Sequence, residues 1–229
     1  MASIGSNIQA VRERIAVART HAPGAAPAVD LLAVSKTFDA SAVRAAFAAG
    51  HHAFGENQVG EALRKMAALT DLRSEMVWHL IGPLQSNKTR AVAESFDWVQ
   101  TVDRLRVAQR LSDQRPQGLA PLQVCVQVNT SGEASKHGIA PADAAGLAHA
   151  VARLPRLRLR GLMAIPAPSD DVAVQRAQHR RLFDLWQNLN AQGLEMDTLS
   201  MGMSDDLEAA VAQGSTLVRV GRAIFGSRA

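Results

Sequence analysis

Eight times along its 229 residues the chain passes from a short β-rich run into a longer stretch of helical periodicity, and this alternation restricts the fold more than any motif does. The runs are LLAVSK (31–36), HAFGEN (52–57), VWHLIG (77–82), DWVQTVD (97–103), LQVCVQVN (122–129), LRGLMAI (159–165), TLSMGM (198–203) and TLVRVG (216–221). Between them lie stretches rich in Ala, Leu and Arg. Those that end at Gly50, Gly193 and Gly214 carry the residue a left-handed helix cap requires. Strict alternation implies a parallel sheet, and eight units in a chain of this length predict an α/β fold closed as a (β/α)8 TIM barrel. The rival, an open doubly wound sheet, lacks its G-x-G-x-x-G fingerprint here. The opening residues MASIGSNIQAVRERIAVART place apolar and charged side chains at helical spacing, which predicts an extra N-terminal helix. No linker, charge block or internal repeat divides the sequence, so residues 1–229 read as one domain.

Composition narrows the classes of function. With 47% hydrophobic residues the chain can bury a sizeable core. A net charge of +4, basic residues scattered along helical stretches and only nine aromatic side chains argue against a nucleic-acid partner. The single cysteine, Cys125, lies in an apolar strand, so no internal disulfide forms and a reducing compartment is expected. No uninterrupted apolar segment resembles a secretory signal or a membrane span, which points to a cytoplasmic protein without a membrane partner. His51 and His52 are adjacent and no His or Cys spacing matches a metal site, so no metal is expected.

In such a barrel the working face lies at the carboxyl ends of the strands, and that rule sorts the polar residues. Lys36 ends the first run, Glu56 and Asn57 the second, SMGMSDD follows the seventh and RVGRAIFG closes the eighth. Of 25 cationic side chains only four are lysines, at 36, 65, 88 and 136, so a lysine at the mouth of an apolar strand stands out. An amine can lose its proton and attack a carbonyl, which a guanidinium cannot. The loops after strands seven and eight commonly hold a phosphate in this fold, and here they offer Ser200, Gly202 and Ser204, then Gly221 and Arg222. Asp205 and Asp206 are expected in the first turn of a helix capped by Ser204, pointing away from that phosphate. A reactive amine facing a phosphate cradle suits an aldehyde that bears a phosphate, and pyridoxal 5'-phosphate is that molecule. Arg219 is then placed to face its ring nitrogen.

The segments AVSKT, FGENQVGEA, WHLIGPLQSNK, VNTSGEASKHGI, RGLMAIP and LSMGMSDDLEAAVAQGSTLVRVGRAIFG, spread over residues 31 to 226, resemble successive signatures of the pyridoxal-phosphate homeostasis proteins, single-domain relatives of the alanine racemase barrel. The resemblance implies that Lys36 forms the internal aldimine. It also implies that Ser200, Gly221 and Arg222 lie at the phosphate, Arg219 at the ring nitrogen and Asn57 in the cofactor pocket. The sequence departs from the family at Phe38 and Asp39, where many relatives have a basic residue or proline, so the loop after Lys36 is expected to differ in shape.

The enzymatic alternative is an amino-acid racemase of the alanine racemase type, which needs a second acid/base group; in those enzymes it is a tyrosine, and this chain has no tyrosine. Without a positioned group, proton transfer loses about 10²- to 10⁴-fold. The expected role is therefore to hold the cofactor and pass it on, with apo-enzymes as recipients and Lys88 or Lys136 as transient acceptors of the aldehyde. With no second, dimerising domain in view, a monomer is expected.

Overall fold

The computed structural model describes residues 3–22, 24–133 and 137–226. Its centre is a closed barrel of eight parallel strands in sequence order. They are β1 (Asp30–Val34), β2 (Ala53–Glu56), β3 (Val77–Leu80), β4 (Trp98–Val102), β5 (Leu122–Gln127), β6 (Leu157–Met163), β7 (Thr198–Ser200) and β8 (Leu217–Val220). Helices α2 (Ala40–Ala48), α3 (Val59–Ala68), α4 (Thr89–Ser95), α5 (Leu105–Gln114), α6 (Ala144–Ala152), α7 (Val172–Ala191), α8 (Leu207–Ala212) and the short α9 (Arg222–Phe225) follow the strands in turn. The predicted extra helix is α1 (Ile4–Thr20), started by the Ser3 hydroxyl accepting from Ser6 N and burying Ile8, Val11, Ile15 and Ala18 along one face. Gly50, Gly193 and Gly214 sit at φ 78°, 93° and 86° and end their helices as expected.

Strands in a parallel sheet covered by helices are buried on both faces, and β5 shows it: Leu122, Val124, Cys125 and Val126 are all inaccessible. Trp78 and Phe54 face outward beneath the helices, their rings 5.6 Å apart. Residues one position away face inward. Leu32, Val34, Ile81 and Leu217 form a separate small apolar cluster, and polar side chains take up much of the remaining interior. Closure joins the two ends of the sheet, with Leu32 opposite Arg219 and Ala33 opposite Val220. No helix of the described residues is long and apolar enough to cross a membrane.

Candidate functional site

β1 ends at Val34, two residues earlier than the sequence predicts, and Lys36 projects from the turn that follows. Phe38 N donates to Ser35 O at 3.1 Å and closes that turn, with Thr37 inside it at φ 69°. A β-branched residue in the left-handed region costs about 1–2 kcal/mol, so the surroundings must hold it there. Asp39, one of the two departures from the family, begins α2 by accepting from Ala42 N at 3.0 Å. Phe38, the other, stacks on Phe225 of α9 with ring centroids 5.1 Å apart. The turn bearing Lys36 is thus packed against the element that follows β8.

That neighbour is brought close by glycine. A Cβ on Gly221 would stand 3.1 Å from Val34 O, tighter than ordinary contact, so glycine there lets the end of β8 lie against the end of β1 without displacement. Gly202, after β7, has φ 94°, and a Cβ on it would meet Ala210 Cβ at 2.5 Å. Both glycines follow strand ends, so the loops after β7 and β8 lie at the same rim. Asn57, half-buried, directly follows β2 at the same rim, where Gly82 approaches it so closely that a Cβ would lie 2.1 Å from Asn57 O.

Arg219 points into the barrel and is 3% exposed. Its guanidinium donates to Ser200 Oγ at 2.6 Å and to Ala164 O at 2.8 Å. Ser200 in turn donates to Gln100 Oε1 at 2.7 Å, and the Gln100 amide donates to His79 Nδ1 at 2.9 Å. Because an amide nitrogen only donates, His79 Nδ1 is the acceptor in this arrangement. His79, which faces inward and stacks on Trp98 at 4.9 Å, is held neutral by burial, its pKa pushed down to about 3. Burial also lowers Arg219, to about 10, which leaves it cationic at neutral pH. Among the described residues no carboxylate forms an ion pair with it. A buried guanidinium bonded only to neutral oxygens is suited to face an acceptor supplied from outside the chain.

The loop after β7 is shaped by an acid that sequence reasoning placed elsewhere. Asp206 flanks α8, and its Oδ1 accepts from Met203 N at 2.6 Å while Oδ2 meets His179 Nε2 of α7 at 2.9 Å. Ser204 does not cap the helix by its side chain, so the expected cap is corrected to Asp206, whose carboxylate folds back to hold the loop. Burial alone would raise its pKa, but the bond from His179, the amide of Met203 and the charge of Arg219 together hold it below the ordinary carboxylate value. Asp205 is exposed and forms an ion pair with Arg222 of α9.

The structure therefore brings Lys36, Asn57, Arg219 and Gly221 to one end of the barrel. Ser200, expected at a phosphate, sits inside the barrel with its only proton given to Gln100. Arg222 is exposed, its guanidinium paired with Asp205. Lys88 is exposed in a 3-10 turn, Ser86–Lys88, and Lys136 lies outside the described residues. Sequence reasoning passed over Gln100 and Lys65. Gln100 carried a usable signal, an amide in a strand otherwise apolar on the same face. A cavity of about 1050 Å³ opens at the opposite mouth, lined by the first residues of the strands, and none of the expected cofactor residues borders it.

A family model described as alanine racemase, N-terminal domain, matches residues 6–229. The pyridoxal phosphate homeostasis protein of Pseudomonas aeruginosa is 59% identical over 229 residues, covering 100% of this chain and 97% of that one. The protein of the same name from Escherichia coli is 52% identical over 229 residues, covering 100% and 98%. Among solved structures, PipY of Synechococcus elongatus with PLP bound superposes with a TM-score of 0.83 at 37% identity, covering 97% of this chain and 100% of that chain. Alanine racemase from Corynebacterium glutamicum, at 18% identity and a TM-score of 0.69, covers 98% of this chain and 61% of that one and shares the fold. Model and relatives agree over the whole barrel, and the chain belongs to the pyridoxal phosphate homeostasis proteins within the alanine racemase N-terminal domain family.

Proposed function

We propose that this barrel binds pyridoxal 5'-phosphate through Lys36 and serves intracellular homeostasis of that cofactor, holding it and releasing it to apo-enzymes. The observation that carries the reading is the seam of the sheet: β1, which leads into Lys36, is paired to β8, which holds a buried arginine without a carboxylate partner among the described residues. When bound, the cofactor supplies an aldehyde that condenses reversibly with an amine and a pyridine ring that draws electrons from the attached carbon.

The residues present fit such a group. Lys36 offers the amine at the rim, and Asn57 lines the pocket beside it. The loop held by Asp206, with Gly202 and Ser204, and the first-turn amides of α9 after Gly221 and Arg222 take the phosphate, since the first turn of a helix leaves N–H groups without partners inside it. Ser200 acts by orienting Arg219. The guanidinium faces the ring nitrogen and, as a cation, opposes protonation there, which weakens the ring as an electron sink. Such a site favours storage over carbanion chemistry. The chain acts as one domain and as a monomer, in the cytoplasm, with Lys88 and Lys136 as candidates for passing the aldehyde on.

The test is direct. Protein mixed with the cofactor should turn yellow, and borohydride should fix the pyridoxyl label on Lys36. Lys36→Ala should take up no chromophore, and uptake by that variant equal to the parent's would refute the assignment. A racemase assay on the loaded protein separates carrier from enzyme, with activity on no amino acid tried as the expected result.

A further inference from the structure

Behind the turn that carries Lys36 lie two carboxylates and an amine that the cofactor reading leaves without a role. Lys65, on α3, is 5% exposed, and Glu56, the last residue of β2, is fully buried. Lys65 Nζ donates at 2.7 Å to each of three oxygens: Ser35 O, Glu56 Oε1 and Glu61 Oε1. All three donors of the ammonium are thereby used. Ser35 Oγ donates to Glu56 Oε1 at 2.6 Å, and Thr37 N donates to Glu61 Oε1 at 2.6 Å.

Stability alone does not explain this cluster. A buried ion pair is seldom better than apolar side chains of the same volume. Glu56 Oε2, moreover, is buried without a hydrogen-bond partner, which adds a cost. What the cluster accomplishes is geometric: it grips the carbonyl before Lys36 and the amide after it. At the same place stands Thr37, the one non-glycine residue at positive φ among the described residues, where a turn of this kind ordinarily takes glycine. An unfavourable backbone conformation and an unfavourable buried charge cluster meet at a single turn, and surroundings that over-determine a strained residue are characteristic of functional sites.

We infer that Lys65 is a positioning residue for Lys36: through Ser35, Glu56 and Glu61 it holds the Ser35–Phe38 turn, so that the reacting amine leaves the rim in one fixed direction. The inference rests on the reading of Lys36 as the amine that meets the aldehyde. It assigns Glu61 a second duty beyond its place in the first turn of α3, that of accepting the Thr37 amide.

Glu61→Gln is the decisive variant, because it keeps the shape and an oxygen for the Thr37 amide while removing the charge that Lys65 holds. Lys65→Met removes the hub, Lys65→Arg retains its charge, and Thr37→Gly relieves the backbone. Cofactor-free samples are compared by melting temperature and by hydrogen exchange at the Thr37 amide. The rate of chromophore formation is then measured with pyridoxal 5'-phosphate, with borohydride trapping at Lys36. In Glu61→Gln we expect a melting temperature close to the parent's, faster exchange at Thr37 and chromophore formation slowed by about tenfold, the equivalent of a 1.4 kcal/mol rise in barrier. Lys65→Arg should recover part of the rate lost in Lys65→Met, and Thr37→Gly should slow the rate without lowering the melting temperature. A folded Glu61→Gln with unchanged rate overturns the inference whether or not exchange rises, and it decides alone if Lys65→Met does not fold. If the parent itself forms no chromophore, the reading of Lys36 falls. Exchange at Thr37 then still reports on the turn: a rise in Glu61→Gln supports the hold, and no change overturns it.

Discussion

Ser200 turns its hydroxyl inward to Gln100 and Arg219. Its proton belongs to Gln100 and a lone pair to Arg219, and we propose that it acts on the phosphate only through the arginine it orients. Ser200→Ala is therefore expected to weaken binding of pyridoxal and of its phosphate ester by a similar factor, about tenfold to a hundredfold for the loss of one hydrogen bond to a charged group. Titration of both aldehydes decides, since a hydroxyl bound to phosphate would affect the ester alone. In sequence, rim and interior positions of an inward-facing strand residue look the same. Depth in a barrel is set by the stagger between strands, which no local pattern records. Lys36 and Arg219 stand out in the sequence because their chemistry is unusual for their surroundings, and Lys65 does not, because Glu61 and Lys65 at i,i+4 read as an ordinary surface pair. The buried histidines carry a pH consequence. Burial lowers His51 to about 4 and His79 to about 3, from 6.5 for a free imidazole. The unfolded chain then binds more protons than the folded one below 6.5, so stability is complete above that pH and falls as the pH drops toward the folded values. The loss is about 1.4 kcal/mol per pH unit for each histidine. Urea unfolding between about pH 7 and pH 5 should show this slope, and His51→Gln should reduce it by one proton's share.

At the scale of elements, alternation and turn chemistry carried most of the information. All eight runs became strands, and three glycines ended their helices where a left-handed residue was needed. What the elements could not reveal was how their ends meet. The cap of α8 is an instance: Ser204 has the right type and position, but Asp206 is drawn back to Met203 N because His179 of α7 reaches it from across the chain. The approach of β2 to β3 is another, since Gly82 sits where a methyl group would overlap Asn57 O at 2.1 Å. Gly82→Ala has to push the two strand ends apart. Its cost is expected at about 1–3 kcal/mol, as for other overpacked sites. A shifted urea midpoint with an unchanged slope would report it, together with weaker cofactor uptake through the displaced Asn57.

The whole molecule is a ring, and its proposed ligand spans the join. A ligand that binds only the completed barrel should raise the melting temperature with concentration, by about 2.7 kcal/mol of stability when free cofactor is 100-fold above Kd. Scanning calorimetry over a concentration series measures this, and a flat response would show that the cofactor also binds the unfolded chain. The pairing of Leu32 with Arg219 joins residues from opposite ends of the chain, and loop closure of that length comes late in folding. Each of the other seven strand pairings joins neighbours in sequence and can form without it. In refolding, yellow colour should accordingly lag behind helical signal. The vitamin would then act as an inspector of finished goods, docking on newly made chains only after their first and last strands have met, and passing over those that stalled as open sheets.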